Sequence, residues 1–133
     1  MRKLGPILLK RCKNVKWNNA GCYNINTDIA IDELNCRTSI KVIISDCRGL
    51  VMASCAQSLD SCFFPSIVKA MAILRGLRLA IDTSFVLALI ESDAKSVVNL
   101  ILSSFVPLSE IGIVTNEILS LLYLNLGFSL KSS

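Results

Sequence analysis

A chain of 133 residues falls within the size range of one domain and is long enough to bury a core without disulfides or metals. Its apolar fraction of 53 % exceeds the usual globular share of about 45–50 %, and its charged fraction of 18 % is low, which excludes a disordered chain. Arg2, Lys3, Lys10, Arg11, Lys13 and Lys16 all precede the first acid, Asp28. The remainder holds eight basic and ten acidic residues, so the net charge of +4 does not by itself define a nucleic-acid-binding body.

Residues 1–16 read as a basic N-terminal extension. The apolar stretch Ile7 to Leu9 is far shorter than a secretory core of about 7–15 residues, and the leader lacks the serine richness of an organelle-targeting segment. No apolar run approaches the roughly 18 residues of a membrane span. An intracellular location, nuclear or cytoplasmic, is the expectation. Six cysteines at 12, 22, 36, 47, 55 and 62 form no Cys-x-x-Cys pair, and there is no histidine to complete a zinc site, so they read as thiols in a reducing compartment.

From Cys22 to Ala30 larger apolar residues alternate with polar ones, which predicts a strand with one buried face. Ser39 to Ser45 and Leu50 to Ala56 flank Asp46-Cys47-Arg48-Gly49, a hairpin with glycine in its turn. After Pro65, Ser66 to Asp82 predicts a helix with Ile67, Met71, Leu74 and Ile81 near one face, ended by Thr83 and Ser84. Phe85 to Ile90 has the length and apolarity of a buried parallel strand. Asp93 is placed to cap a helix over Ala94 to Leu102, Glu110 to Leu124 predicts another, and Phe128 to Lys131 a last strand.

Three antiparallel strands, a helix, a parallel strand and further helices define an α/β domain, and particular segments narrow it. Asn24-Ile25-Asn26-Thr27-Asp28, Ile44 to Gly49, Ala70 to Ala80 with its Arg75-Gly76-Leu77-Arg78-Leu79-Ala80, and Ile90-Glu91-Ser92-Asp93-Ala94-Lys95-Ser96-Val97-Val98-Asn99 together resemble the reverse-transcriptase-like ribonuclease H domains of plant retroelement-derived proteins. The similarity runs from Trp17 to Lys131. It implies a ribonuclease H-like mixed five-stranded sheet, three antiparallel strands then parallel ones, flanked by helices, over residues 17–131, with the C-terminal helix missing.

The resemblance also implies an activity: metal-dependent hydrolysis of the RNA strand of an RNA–DNA hybrid, with Mg2+ or Mn2+ held by four acids. Asp28 matches the first of these and Asp93 the third, and both are the expected catalytic and metal-binding positions. The second falls on Lys69, and the chain ends at Ser133 before the segment that would bring the fourth. An ammonium has no lone pair for a metal. At about 5 Å from a divalent ion and an effective dielectric near 20 it would repel that ion by roughly 6–7 kcal/mol. Lys69 therefore has two readings, a solvated helix residue or a counterion to Asp28 and Asp93. Ile29 and Lys41 also replace family glycines.

The expected function is a nucleic-acid-binding domain related to hybrid ribonucleases and impaired in cleavage. An interaction or remnant domain with no nucleic-acid role is the alternative. Glu91 reads as a sheet-edge or surface acid. The missing helix would leave Leu121, Leu122, Leu124 and Leu126 partly exposed, with self-association as the consequence. No Gly-rich phosphate loop, serine elbow or Cys-His pair supports another enzyme class.

Overall fold

A computed structural model describes residues 22–85, 87–103, 109–125 and 127–132; the basic extension 1–16, Cys12, Trp17 and Leu126 lie outside these. The elements run β1 (Tyr23–Asp32), β2 (Arg37–Ser45), β3 (Val51–Leu59), α1 (Pro65–Asp82), β4 (Ala88–Ser92), α2 (Lys95–Leu102), α3 (Glu110–Leu124) and β5 (Phe128–Ser132). The strands form one sheet in the order β3-β2-β1-β4-β5. β1, β2 and β3 pair antiparallel, and β4 joins β1 and β5 in parallel, as the resemblance implied.

Alternation in β1 and β2 sends Ile25, Ile40, Val42 and Ile44 to one face, where they are buried. Ile90, Phe128 and Leu130 continue that face across β4 and β5. Onto it pack Ile73 and Leu77 of α1, Val98 and Ile101 of α2, and Ile118 and Leu122 of α3, in one core cluster. The three described helices thus share one face of the sheet. Over β1 the opposite face carries Asn26, Asp28, Ala30 and Asp32, all exposed.

Several local expectations shift. In α1 the buried residues include Ile67, Val68, Ile73, Gly76, Leu77 and Ala80, whereas Met71, Leu74 and Ile81 are only half-buried. The helix touches both the sheet and α3, so its buried face is wider than a single stripe. The strand expected over Phe85 to Ile90 begins at Ala88 and reaches Ser92. Ahead of it α1 closes with Phe85 N–H donating to the Ala80 carbonyl at 2.8 Å and Ser84 N–H to that of Ile81 at 3.1 Å. Ser84 has φ 66, the left-handed residue of a Schellman close. Leu122 is fully buried and Leu121 half-buried because they face the core, so of the leucines expected to lose cover only Leu124, 75 % exposed, stands open among the described residues. Glu91 lies on β4 between β1 and β5, opposite Asn26 and Lys131, and so does not sit at a sheet edge.

Both hairpin turns are held by an aspartate. Asp32 accepts the Asn35 backbone N–H at 3.2 Å and its Nδ2 at 2.8 Å. The Asn35 side-chain amide does most to hold that carboxyl below its ordinary value. Between β2 and β3, Asp46 Oδ1 accepts the N–H groups of Arg48 and Leu50 at 2.8 and 3.0 Å. Gly49 takes φ 85, open to glycine at no steric cost.

Candidate functional site

Pro65 opens α1, where its missing N–H would have no partner in any case. Lys69 follows one turn later, between the buried Val68 and Ala70, at the margin of the core face. Asp93 comes from another element: β4 ends at Ser92 and the chain turns through Asp93 and Ala94 into α2. The fold brings these two side chains together, with Lys69 Nζ 3.4 Å from Asp93 Oδ1. Their side chains are 30 % and 79 % exposed, so solvent screens the pair and its net contribution to stability is under about 1 kcal/mol.

Asp93 does not cap α2. Ala94 occupies the cap position and makes no side-chain cap hydrogen bond. Its N–H donates to the buried Ser92 Oγ at 3.2 Å, and the Asp93 carbonyl accepts the Lys95 N–H at 3.0 Å. The Asp93 carboxylate stands one residue too early to reach the first-turn amides and is left for Lys69.

A shallow cleft of about 400 Å³ surrounds the pair, lined by Pro65, Ser66 and Lys69 of α1 and by Asp93, Lys95 and Ser96 at the start of α2. Two helix N-termini open onto it, each carrying positive partial charge and unsatisfied amide donors. Lys69 and Lys95 set two ammonium groups against one carboxylate. The arrangement favours anions. The sequence assigns no site role to Ser66, Lys95 or Ser96, although Pro65 and Asp93 mark two helix starts whose first-turn residues share this end of the sheet.

Asp28 is not part of this cleft. It is exposed on β1, its Cα register partner is Lys41 on β2, and its Oδ1 accepts the N–H of Ile29 at 3.0 Å. Alternation places it with Asn24 and Asn26 on the face opposite Ile25 and Thr27, which lie beneath α1. Lys41, the other glycine replacement, carries its charge to that same face.

Divalent magnesium needs several hard oxygen ligands near octahedral geometry. Among the described residues no group of three or more His, Cys, Asp or Glu side chains is placed to hold a metal ion. Asp93, one of the two expected ligands, already faces an ammonium. The described residues do not fit the two-ion centre that the resemblance implied, so no catalytic step is derived through a metal.

A mixed sheet of this order with helices on it is a ribonuclease H-like fold, and solved structures bear this out. Ribonuclease H1 from the archaeon Halobacterium salinarum matches with a TM-score of 0.69 at 14 % identity, covering 84 % of this chain and 82 % of that one. LC11 ribonuclease H1, solved in complex with an RNA/DNA hybrid, matches at 0.70 and 13 %, covering 84 % of each chain. The N-terminal ribonuclease H domain of Rv2228c from Mycobacterium tuberculosis matches at 0.68 and 14 %, covering 84 % and 78 %. Residues 26–124 match the model of the reverse transcriptase-like family, and the chain belongs to that family. No curated protein matches the sequence. Among the described residues no helix is long and apolar enough to cross a membrane.

Proposed function

We propose that this chain is a ribonuclease H-like domain that binds an RNA–DNA hybrid, or a related nucleic acid, and does not cleave it. The observation that carries this reading is the ion pair of Lys69 with Asp93. At the position where the resemblance calls for an acid beside Asp93, the chain supplies a cation, and that cation neutralises the carboxylate. Phosphate binding is supported by the remaining chemistry of the cleft. Lys69 and Lys95 offer charge, Ser66 and Ser96 offer hydroxyl donors, and two helix N-termini point the same way. LC11 ribonuclease H1, which shares the fold, has been solved with a hybrid bound.

The test is incubation of the purified chain with an end-labelled RNA–DNA hybrid in Mg2+ or Mn2+, against a chelator control, beside a binding titration of the same hybrid. Binding without cleavage is expected. Metal-dependent cutting of the RNA strand by a homogeneous preparation would refute the non-cleaving reading.

A second reading, an interaction domain with no nucleic-acid role, is favoured by one observation: beyond residue 16 the chain holds eight basic and ten acidic residues. Absence of hybrid binding by the folded chain at low salt would decide for it.

A further inference from the structure

Two of the six cysteines meet, although they are 26 positions apart (62 − 36). Cys36 closes the β1–β2 turn and Cys62 lies in the loop between β3 and α1. The β2–β3 ladder brings them together. Its register pairs Thr38 with Leu59, and one step on, Arg37 Nε lies 3.4 Å from Asp60 Oδ1. The buried Thr38 hydroxyl donates to the Ser61 carbonyl at 2.8 Å, which ties the loop back onto β2. Cys36 is the next residue along β2's leading end, close enough to Cys62 for the two thiols to influence each other's protons. Cys62 Sγ in turn donates to the Asp32 carbonyl at 3.8 Å, across the same turn. Both thiols are exposed.

We propose that Cys36 and Cys62 form a reversible dithiol–disulfide site, oxidised by small-molecule disulfides of the glutathione type, that clips the β1–β2 turn to the loop leading into α1. Three observations support it. The pair is open to a solvent-borne oxidant, unlike Cys22, which is buried. Cys36 holds φ 50, a left-handed conformation that a side chain occupies at a cost of about 1–2 kcal/mol and that glycine or asparagine would fill more readily. The register that pairs Thr38 with Leu59, run on past Arg37 and Asp60, sets Cys36 beside Ser61, the residue before Cys62.

The chemistry balances with the oxidant named. Cys62 retains its proton, pushed up to about 11 by the neighbouring Cys36 thiol, by burial, and by the nearby charges of Cys36, Glu33 and Asp32. Attack therefore begins at Cys36. Its sulfur bonds to one sulfur of the small disulfide, and the departing thiolate takes up the Cys36 proton. Cys62 then attacks the Cys36 sulfur of the mixed disulfide, its proton passing to the second departing thiolate. One protein disulfide forms, and one small disulfide is reduced to two thiols.

The clip acts on the segment that sets the start of α1. Cys62 is three residues before Pro65, and Lys69 is one turn beyond it. Oxidation closes a loop around the β2–β3 hairpin and removes freedom from the unfolded chain.

The full chain, with all six cysteines, is incubated with glutathione disulfide, quenched with an alkylating agent, digested and mapped by mass spectrometry. A crosslinked Cys36–Cys62 peptide, lighter by two hydrogens, is expected, together with a rise in Tm of roughly 5–10 °C that dithiothreitol reverses. The Cys36→Ser and Cys62→Ser variants, near-isosteric at exposed positions, are expected to lose both the crosslink and the rise. Glutathione on either thiol with no crosslink, or a crosslink at Cys36–Cys62 with no change in Tm, would overturn the proposal.

Discussion

Gly76 of α1 lies so close over Ile25 of β1 that a Cβ built on it would stand 2.8 Å from Ile25 Cγ2. Thr27 Cγ2 and Val42 Cγ1 complete the floor at 3.7 and 3.6 Å. In an exposed helix, Gly→Ala gains about 1 kcal/mol of propensity. Here the neighbour is a fully buried β-branched side chain with a stiff χ1, which has little room to give. Overpacking costs about 1–3 kcal/mol and wins. Gly76→Ala is expected to destabilise the fold by about 1–2 kcal/mol, read as a lower urea midpoint at unchanged slope. An unchanged or higher midpoint would show that α1 lifts without cost.

The cleft at the start of α2 makes a prediction about salt. Lys95 is exposed and makes no ion pair among the described residues, whereas Lys69 is engaged with Asp93. If phosphate docks there, Lys95→Ala weakens hybrid binding and lowers the magnitude of the log K against log[salt] slope by roughly 0.7–0.9. Fluorescence anisotropy between low and moderate salt measures both. Equal slopes for the variant and the parent chain would place the nucleic acid elsewhere.

Acid is expected to loosen the β2–β3 turn before the sheet. Partial burial pushes the Asp46 carboxyl up, but the amides of Leu50 and Arg48 and the Arg48 guanidinium outweigh it and hold the group below its ordinary 3.8. A carboxyl lower in the folded chain than in the unfolded one adds stability above pH 3.8, and that contribution disappears as pH falls through the lower, folded value. The amides of Arg48 and Leu50, which donate to Asp46, should exchange faster below pH 3.8 than at pH 6 after correction for intrinsic rates. Asp46→Asn should flatten that difference.

The outer strand β3 invites association. It ends the sheet order, and its nine residues, Val51 to Leu59, contain no charge and no proline. Val51 and Met52 are exposed, as is Leu50 just before them. Edge strands are commonly protected by charge or proline, so this one offers open backbone groups to a second strand. Ser54→Lys, on the exposed face, is expected to slow growth of light scattering on concentration or warming without shifting the urea midpoint by more than about 0.5 kcal/mol. Scattering that does not change would assign association to another surface.

Most of the fold is legible from periodicity. Ile25, Val42 and Ile44 announce a half-buried sheet by alternation, and Asp46 with Gly49 announces the hairpin. The parallel strand starts later than its apolar run suggests because Phe85 and Leu87 extend that run backwards, while Phe85 serves the close of α1 and packs on Tyr23 at 4.6 Å between ring centroids. The candidate site was legible residue by residue and not as an assembly. Lys69 and Asp93 could be singled out from the sequence, but their pairing depends on how α1 crosses the sheet, and the face of β1 on which Asp28 lies depends on strand parity. Lys95 and Ser96 gave no signal of their own, since a lysine and a serine in a first helical turn are ordinary surface residues.

In β1 the odd-numbered residues from Ile25 onward face the core and the even-numbered ones face solvent. Folding therefore constrains every second residue of the strand and leaves the alternate ones to drift. Asp28 belongs to the unconstrained half, so a chain of this design can exchange it for other polar residues at little cost in stability. Substitution along the solvent side of such a strand leaves the core side, and with it the shape of the sheet, in place.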